Sequence, residues 1–160
     1  MSGRKRILFV EDDPNLQRIM IKWLRGYEVS AFDNADDAYE FAAGGAAKNP
    51  VDLFILDIML KKAASREDRR KWVHHTQLIG HGVQLGHLLR KLDAYRETPI
   101  IFLSAKLTSP VARETLGQRV QAICYEKPVP YKALQARVEE ILGHADRTYW
   151  QKFARMIGLD

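Results

Sequence analysis

The sequence predicts an α/β fold, a five-stranded parallel sheet with helices on both faces. Two observations predict it. Short apolar runs alternate with stretches whose apolar residues recur at helical spacing, the order expected of repeated strand–helix units. Two of those runs, Ile7-Leu-Phe-Val10 and Leu53-Phe-Ile-Leu56, end directly on acids, Glu11-Asp12-Asp13 and Asp57. Strands that deliver carboxylates at their C-terminal ends build an acidic pocket at one edge of the sheet. Such a pocket is costly unless a cation or chemistry uses it.

Each element has a local reason. The first strand is Ile7–Val10. Asp13-Pro14 reads as an N-cap followed by proline at the first helical position. Leu16, Ile19, Met20 and Trp23 then form one apolar stripe, and Gly26 stops the helix. Tyr27–Phe32 is a short second strand. Asp33-Asn34 caps a helix through Phe41 that Gly44-Gly45 ends. The unbroken apolar run Leu53–Leu56 suits a strand covered on both faces.

After Asp57 the rhythm breaks. Residues 61–81 form a polar, basic, histidine-containing insert, far longer than an ordinary strand–helix connection. Within it Ser65-Arg-Glu-Asp68 resembles a capping box for a short helix through Trp72. Val83, Leu85, Leu88, Leu89 and Leu92 mark the next helix. Thr98-Pro99 introduces the fourth strand, Ile100–Leu103, which ends at Ser104. Ser109-Pro110 opens another helix, and the fifth strand is Ala122–Tyr125, followed by Lys127-Pro128. Pro130 starts a last core helix carrying Leu134, Val138, Ile141 and Leu142, stopped by Gly143. The remaining segment, 144–160, reads as an amphipathic helical tail, with Tyr149, Trp150, Phe153, Met156 and Ile157 on one face and Arg147, Lys152 and Arg155 off it.

Bulk properties narrow the class. At 160 residues, 46% hydrophobic and 28% charged, the chain is one ordinary globular domain. It contains no apolar run long enough for a transmembrane helix, and the four apolar residues after the basic N-terminus are too few for a signal peptide. One cysteine, Cys124, excludes an internal disulfide and fits a reducing cytoplasm. The net charge of +5 comes without a nucleic-acid recognition motif, so it reads as a solvated basic surface.

The strand ends carry the chemistry. In an open α/β sheet, ligands bind beyond the carboxyl ends of the strands. Here those ends hold Glu11, Asp12, Asp57, Ser104 and Lys127. Carboxylate oxygens suit a hard, partly hydrated Mg2+ shared with a phosphoryl group, whose remaining oxygens Lys127 and Ser104 can bind. Asp13 is explained by capping alone; Asp57 is not, because no helix start follows it.

In order along the chain, Ile7-Leu-Phe-Val-Glu-Asp-Asp-Pro14, Leu56-Asp57-Ile-Met-Leu60, Pro99-Ile-Ile-Phe-Leu-Ser-Ala105 and Lys127-Pro128 resemble the motifs of response-regulator receiver domains of two-component signalling. The resemblance covers residues 4 to about 143 and gives the domain as 1–143. It implies a doubly wound flavodoxin/CheY-like sheet of strand order 2-1-3-4-5. It implies Asp57 as phosphoacceptor from a histidine kinase or phosphotransfer protein, and Mg2+ held by Glu11, Asp12, Asp57 and the Met59 backbone carbonyl. Lys127 would pair with Asp57 and then with its phosphoryl group, Ser104 would act as the switch hydroxyl, and the proline after the lysine is usually cis. Such a domain performs only Mg-dependent self-phosphorylation and autodephosphorylation, and it signals through protein contacts with an output protein that the sequence does not name.

Three features depart from the family. Lys61 replaces a usual proline, and His81-Gly82 takes the place of an Asp-Gly pair displaced by about seventeen residues of insert. Residues 61–75 hold six Lys/Arg against two acids, which makes Lys61, Lys62, Arg69, Arg70 and Trp72 candidates for partner contact. His74, His75, His81 and His87 lack zinc spacing, with His87 expected on a helix and the others in a loop. The family's switch aromatic falls at Cys124, with Tyr125 one residue on. A one-residue shift points a side chain to the other face, so either a bulge brings Tyr125 back or the hydroxyl–aromatic coupling is absent. Finally, about seventeen residues after the last core helix are too few for a DNA-binding domain. Trp150 and Phe153 there could pack on the domain itself, contact a partner, or join a homodimer through the tail or the last strand–helix face.

Two other functions compete. A receiver-like interaction module would use the insert and tail without phosphorylation. A phosphatase of the haloacid-dehalogenase type also uses a strand-end aspartate, but it wants an acid two residues later, where Met59 stands.

Overall fold

A computed structural model describes residues 3–60, 81–105 and 122–143, without the side chains of His81 and Ser104. The strands are β1 (Arg6–Val10), β2 (Glu28–Phe32), β3 (Leu53–Asp57), β4 (Ile100–Ser104) and β5 (Ala122–Glu126). The helices are α1 (Pro14–Trp23), α2 (Ala35–Gly45), α3 (His81–Lys91) and α4 (Tyr131–Leu142), with a 3-10 turn at Asp93–Tyr95. All five strands are parallel, in the order β2-β1-β3-β4-β5, the topology the sequence resemblance implies.

Alternation along the strands splits the core in two. Leu8 and Val10 of β1, with Phe54, Leu56, Ile100 and Phe102, face α2 and α3 through Ala35, Ala38, Ala42, Val83, Leu85 and Leu89. Ile7 and Phe9, with Leu53, Ile55, Ile101 and Leu103, face α1 and α4 through Met20, Leu24, Leu134 and Val138. β1 and β3 therefore need apolar residues on both faces, which is why their sequences read as unbroken hydrophobic runs.

Caps match their sequence signals. Asp13 accepts from the Asn15 and Leu16 amides with Pro14 beginning α1, and Asn34 accepts from the Asp37 amide at the start of α2. Gly26 and Gly143 take positive φ after α1 and α4. α2 ends at Gly45, as the glycine pair predicts, and its C-cap Ala46 keeps ordinary right-handed geometry. His81 is corrected, since it begins α3 and does not lie in a loop. β1 starts one residue earlier than expected, β2 one later, and β4 and β5 each end one later.

The insert from Lys61 to residue 80, including Lys62, Arg69, Arg70, Trp72, His74 and His75, lies outside the described residues, as do the helix expected after Ser109-Pro110 and the tail with Trp150 and Phe153. No helix among the described residues is long and apolar enough to cross a membrane.

One fastener carried no sequence signal. Tyr95 is wholly buried, with its ring edge-on to Phe54 at 5.0 Å. Its hydroxyl donates to the Ala42 carbonyl at 2.7 Å and accepts from the Val51 amide at 3.5 Å, tying the end of α2 to the approach to β3. Tyr95→Phe keeps the ring and orphans these buried groups, so a loss of about 1–2 kcal/mol in urea unfolding is expected.

Candidate functional site

The site is assembled at the C-terminal ends of β1, β3 and β5. Glu11 prolongs β1: its amide donates to the Phe32 carbonyl at 3.0 Å, and its own carbonyl accepts from Gln17 Nε2 at 3.1 Å. That backbone grip turns the side chain inward, leaving the residue 1% exposed. Glu11 Oε1 accepts from the Asp13 amide at 3.1 Å, and Asp13 itself faces solvent as the α1 cap. Asp12, between them, is half-buried.

Asp57 ends β3 and is 3% exposed. Its Oδ1 accepts from the Met59 amide at 3.0 Å, and the next residue, Ile58, donates to the Leu103 carbonyl at 3.0 Å. Lys127, just after β5, reaches across the pocket. Its Nζ lies 2.8 Å from Glu11 Oε2 and 3.0 Å from Asp57 Oδ2, so one ammonium bridges two buried carboxylates. The Lys127–Pro128 peptide is cis.

The charges strain against their setting. Burial, opposed by the Lys127 hydrogen bond and reinforced by the charge of Asp57, pushes the Glu11 carboxyl from 4.5 to about 7. Burial disfavours the Lys127 ammonium, but its hydrogen bonds to Glu11 and Asp57 outweigh that and hold it above the ordinary lysine value. Glu11, Asp12 and Asp57 each place a carboxylate oxygen within 4.8 Å of the others. Among the described residues they form the one cluster of three such donors. Three hard oxygens gathered around one point, one of them from the half-buried Asp12, fit a partly hydrated Mg2+.

The pocket floor is shaped by a residue that carries no functional group. A Cβ on Gly82, in the first turn of α3, would lie 1.8 Å from the Asp57 carbonyl oxygen and 2.9 Å from the Ile58 Cα. The Gly82 amide also donates to the Ile58 carbonyl at 3.2 Å. The glycine of the His81-Gly82 pair is therefore required by close approach to the Asp57 backbone.

The switch residues divide. Ser104 pairs with Glu126 at the end of β4; its side chain lies outside the described residues. β5 keeps regular register with β4 from Ala122 to Glu126, so no bulge intervenes. Cys124 packs on the α2/α3 face and Tyr125 on the α1/α4 face. Of the two alternatives the sequence left open, the register excludes the bulge. The Met59 side chain is 39% exposed at the pocket rim.

No protein-family model matches the chain. It is 31% identical over 144 residues to the transcriptional regulatory protein PcoR of Escherichia coli, covering 88% of this chain and 53% of that protein. It is 36% identical over 69 residues to the response regulator receiver protein CpdR of Brucella abortus, covering 42% of this chain and 54% of that protein. The BeF3-activated receiver domain of RstA from Klebsiella pneumoniae superposes with a TM-score of 0.63 at 25% identity, over 88% of this chain and all of that one. The chain carries a response-regulator receiver domain. A response regulator from Chloroflexus aurantiacus shares the same fold, with a TM-score of 0.66 at 23% identity over 89% of this chain and 100% of that one. The chain spans about half the length of the curated relatives it matches.

Two outcomes follow from the geometry of this receiver. The Glu11 pKa in the folded state exceeds its ordinary value, so protonation stabilises the fold fully below about pH 4.5, and that contribution is lost as pH rises through about 7. In chelator-containing buffer, Glu11→Gln is expected to gain about 1–3 kcal/mol over wild type at pH 8 and almost nothing at pH 4.5, read by urea unfolding. Gly82→Ala should cost about 1–3 kcal/mol by overpacking against the Asp57 backbone, with no polar group lost. If thermal unfolding of Gly82→Ala matches wild type, the close approach is wrong.

Proposed function

We propose that this receiver accepts a phosphoryl group on Asp57 from the phosphohistidine of a histidine kinase or phosphotransfer protein, and passes the signal on through protein–protein contacts. The observation that carries this reading is the buried Asp57 carboxylate held between the Lys127 ammonium at 3.0 Å and the Met59 amide at 3.0 Å, with Glu11 and Asp12 beside it. An isolated buried acid would be a liability; this one is held in position by two donors.

The residues divide the work. An Asp57 carboxylate oxygen attacks phosphorus as the bond to the histidine nitrogen breaks, giving an acyl phosphate and returning the electron pair to the imidazole. The Met59 amide fixes the rotation of the nucleophile. Glu11, Asp12, Asp57 and the Met59 carbonyl are the groups that would hold Mg2+, which when bound offsets the repulsion between two anions. Lys127 supplies the second positive charge and can follow the transferred oxygens, since its ammonium already touches Asp57. Phosphoryl transfer asks for this kind of positioning and neutralisation more than for covalent help from the protein. Ser104 would bind the phosphorylated form. With Cys124 and Tyr125 on opposite faces of an unbulged strand, the reading includes no hydroxyl–aromatic relay through Tyr125.

The phosphorylation-independent alternative draws no specific support from the site. Incubation with acetyl phosphate and Mg2+ should label the wild-type chain, observed as an intact-mass gain, and Asp57→Asn should abolish it. Lys127→Ala should reduce labelling strongly and, by stranding two buried acids, also lower stability in urea unfolding. Absence of labelling from both acetyl phosphate and a panel of phosphorylated kinases, together with no beryllofluoride binding, would end this reading.

A further inference from the structure

Two of the three clustered carboxylates, those of Glu11 and Asp12, sit on one short segment between β1 and α1. A ligand carried on a loop is only as well placed as the backbone beneath it. Gln17, the fourth residue of α1, grips that backbone on both sides of Asp12. Its side-chain Nε2 donates to the Glu11 carbonyl at 3.1 Å, and its own amide donates to the Asp13 carbonyl at 2.9 Å. The second bond is an ordinary rung of the helix and does not depend on the side chain. The first does, because a carbonyl only accepts and the group facing it must donate.

The Glu11 carbonyl belongs to the peptide plane that joins Glu11 to Asp12. Rotation of that plane changes ψ of Glu11 and φ of Asp12 together, and with them the direction of the Asp12 side chain. Glu11 has anchors of its own: its amide meets the Phe32 carbonyl, and its carboxylate meets Lys127 and the Asp13 amide. Asp12 is the half-buried member of the cluster, and the Gln17 bond acts on the plane from which it starts.

We propose that Gln17 is a positioning residue for the cation site. Its side-chain amide pre-orients Asp12 toward the point shared with Glu11 and Asp57, so that Mg2+ binds without first ordering that ligand. The inference rests on the reading of Asp57 as a Mg2+-dependent phosphoacceptor. Gln17 supplies no ligand and acts through the backbone alone. Loss of the bond adds the cost of ordering one side chain to binding, about 3- to 10-fold in affinity.

Mg2+ titrated into the full chain by calorimetry, without a phosphodonor, tests this. Gln17→Met keeps length and neutrality but removes the donor; Gln17→Ala is the second version, and either suffices if the other does not fold. Expected is a Mg2+ dissociation constant about 3- to 10-fold above wild type. With acetyl phosphate, the Mg2+ concentration for half-maximal labelling should rise by the same factor, while the rate at saturating Mg2+ stays within about twofold of wild type. Tyr95→Phe, which loosens the fold at the approach to β3 and away from the pocket, should leave the Mg2+ constant unchanged. If wild type binds Mg2+ and takes label but the Gln17 variants keep its Mg2+ constant, the positioning role is overturned and phosphate acceptance stands. Equal weakening in Tyr95→Phe also overturns it, since the effect then follows stability. A wild type that neither binds Mg2+ nor takes label removes both readings.

Discussion

One ammonium holds the centre of this molecule together. Lys127 stands between Glu11 and Asp57, two carboxylates that the sheet withdraws from water, and neither could stay buried and ionised without it. The arrangement is not optimal for stability. Burial, with the charge of Asp57 added, outweighs the Lys127 hydrogen bond and raises the Glu11 carboxyl to about 7. An excess of negative charge at a water-poor point is what a receptive cation site requires. The stability given up there is recovered in the double core, where β1 and β3 are covered on both faces.

Much of this was legible in the residues. Unbroken apolar runs ending on acids marked β1 and β3, because a strand buried on both sides cannot alternate. Asp13-Pro14 and Asn34 announced helix starts, since capping is a local matter decided within three residues. The relation between Cys124 and Tyr125 was legible as a dilemma, and only the β4–β5 register could resolve it.

What escaped reading was non-local. Tyr95 carries no local signal, because its role depends on the Ala42 carbonyl, 53 positions away. The burial of Glu11 follows from its amide meeting Phe32 and its carbonyl meeting Gln17, a pattern no spacing in the sequence displays. Gly44-Gly45 marked the end of α2 correctly, but the manner of the stop was not legible: neither glycine takes the positive φ seen at Gly26 and Gly143.

Gly82 and Leu60 together have a consequence for how such a chain can change. Leu60 is buried just beyond Asp57, and Gly82 is clamped to the Ile58 carbonyl, so the chain leaves the pocket and re-enters it at two fixed and neighbouring points. Between such posts, the entropic cost of a longer connection rises only with the logarithm of its length. The fold can therefore acquire, lengthen or exchange material at this point while its acidic cluster stays where it was. A protein engineer seeking a splice point in this scaffold would choose the same place.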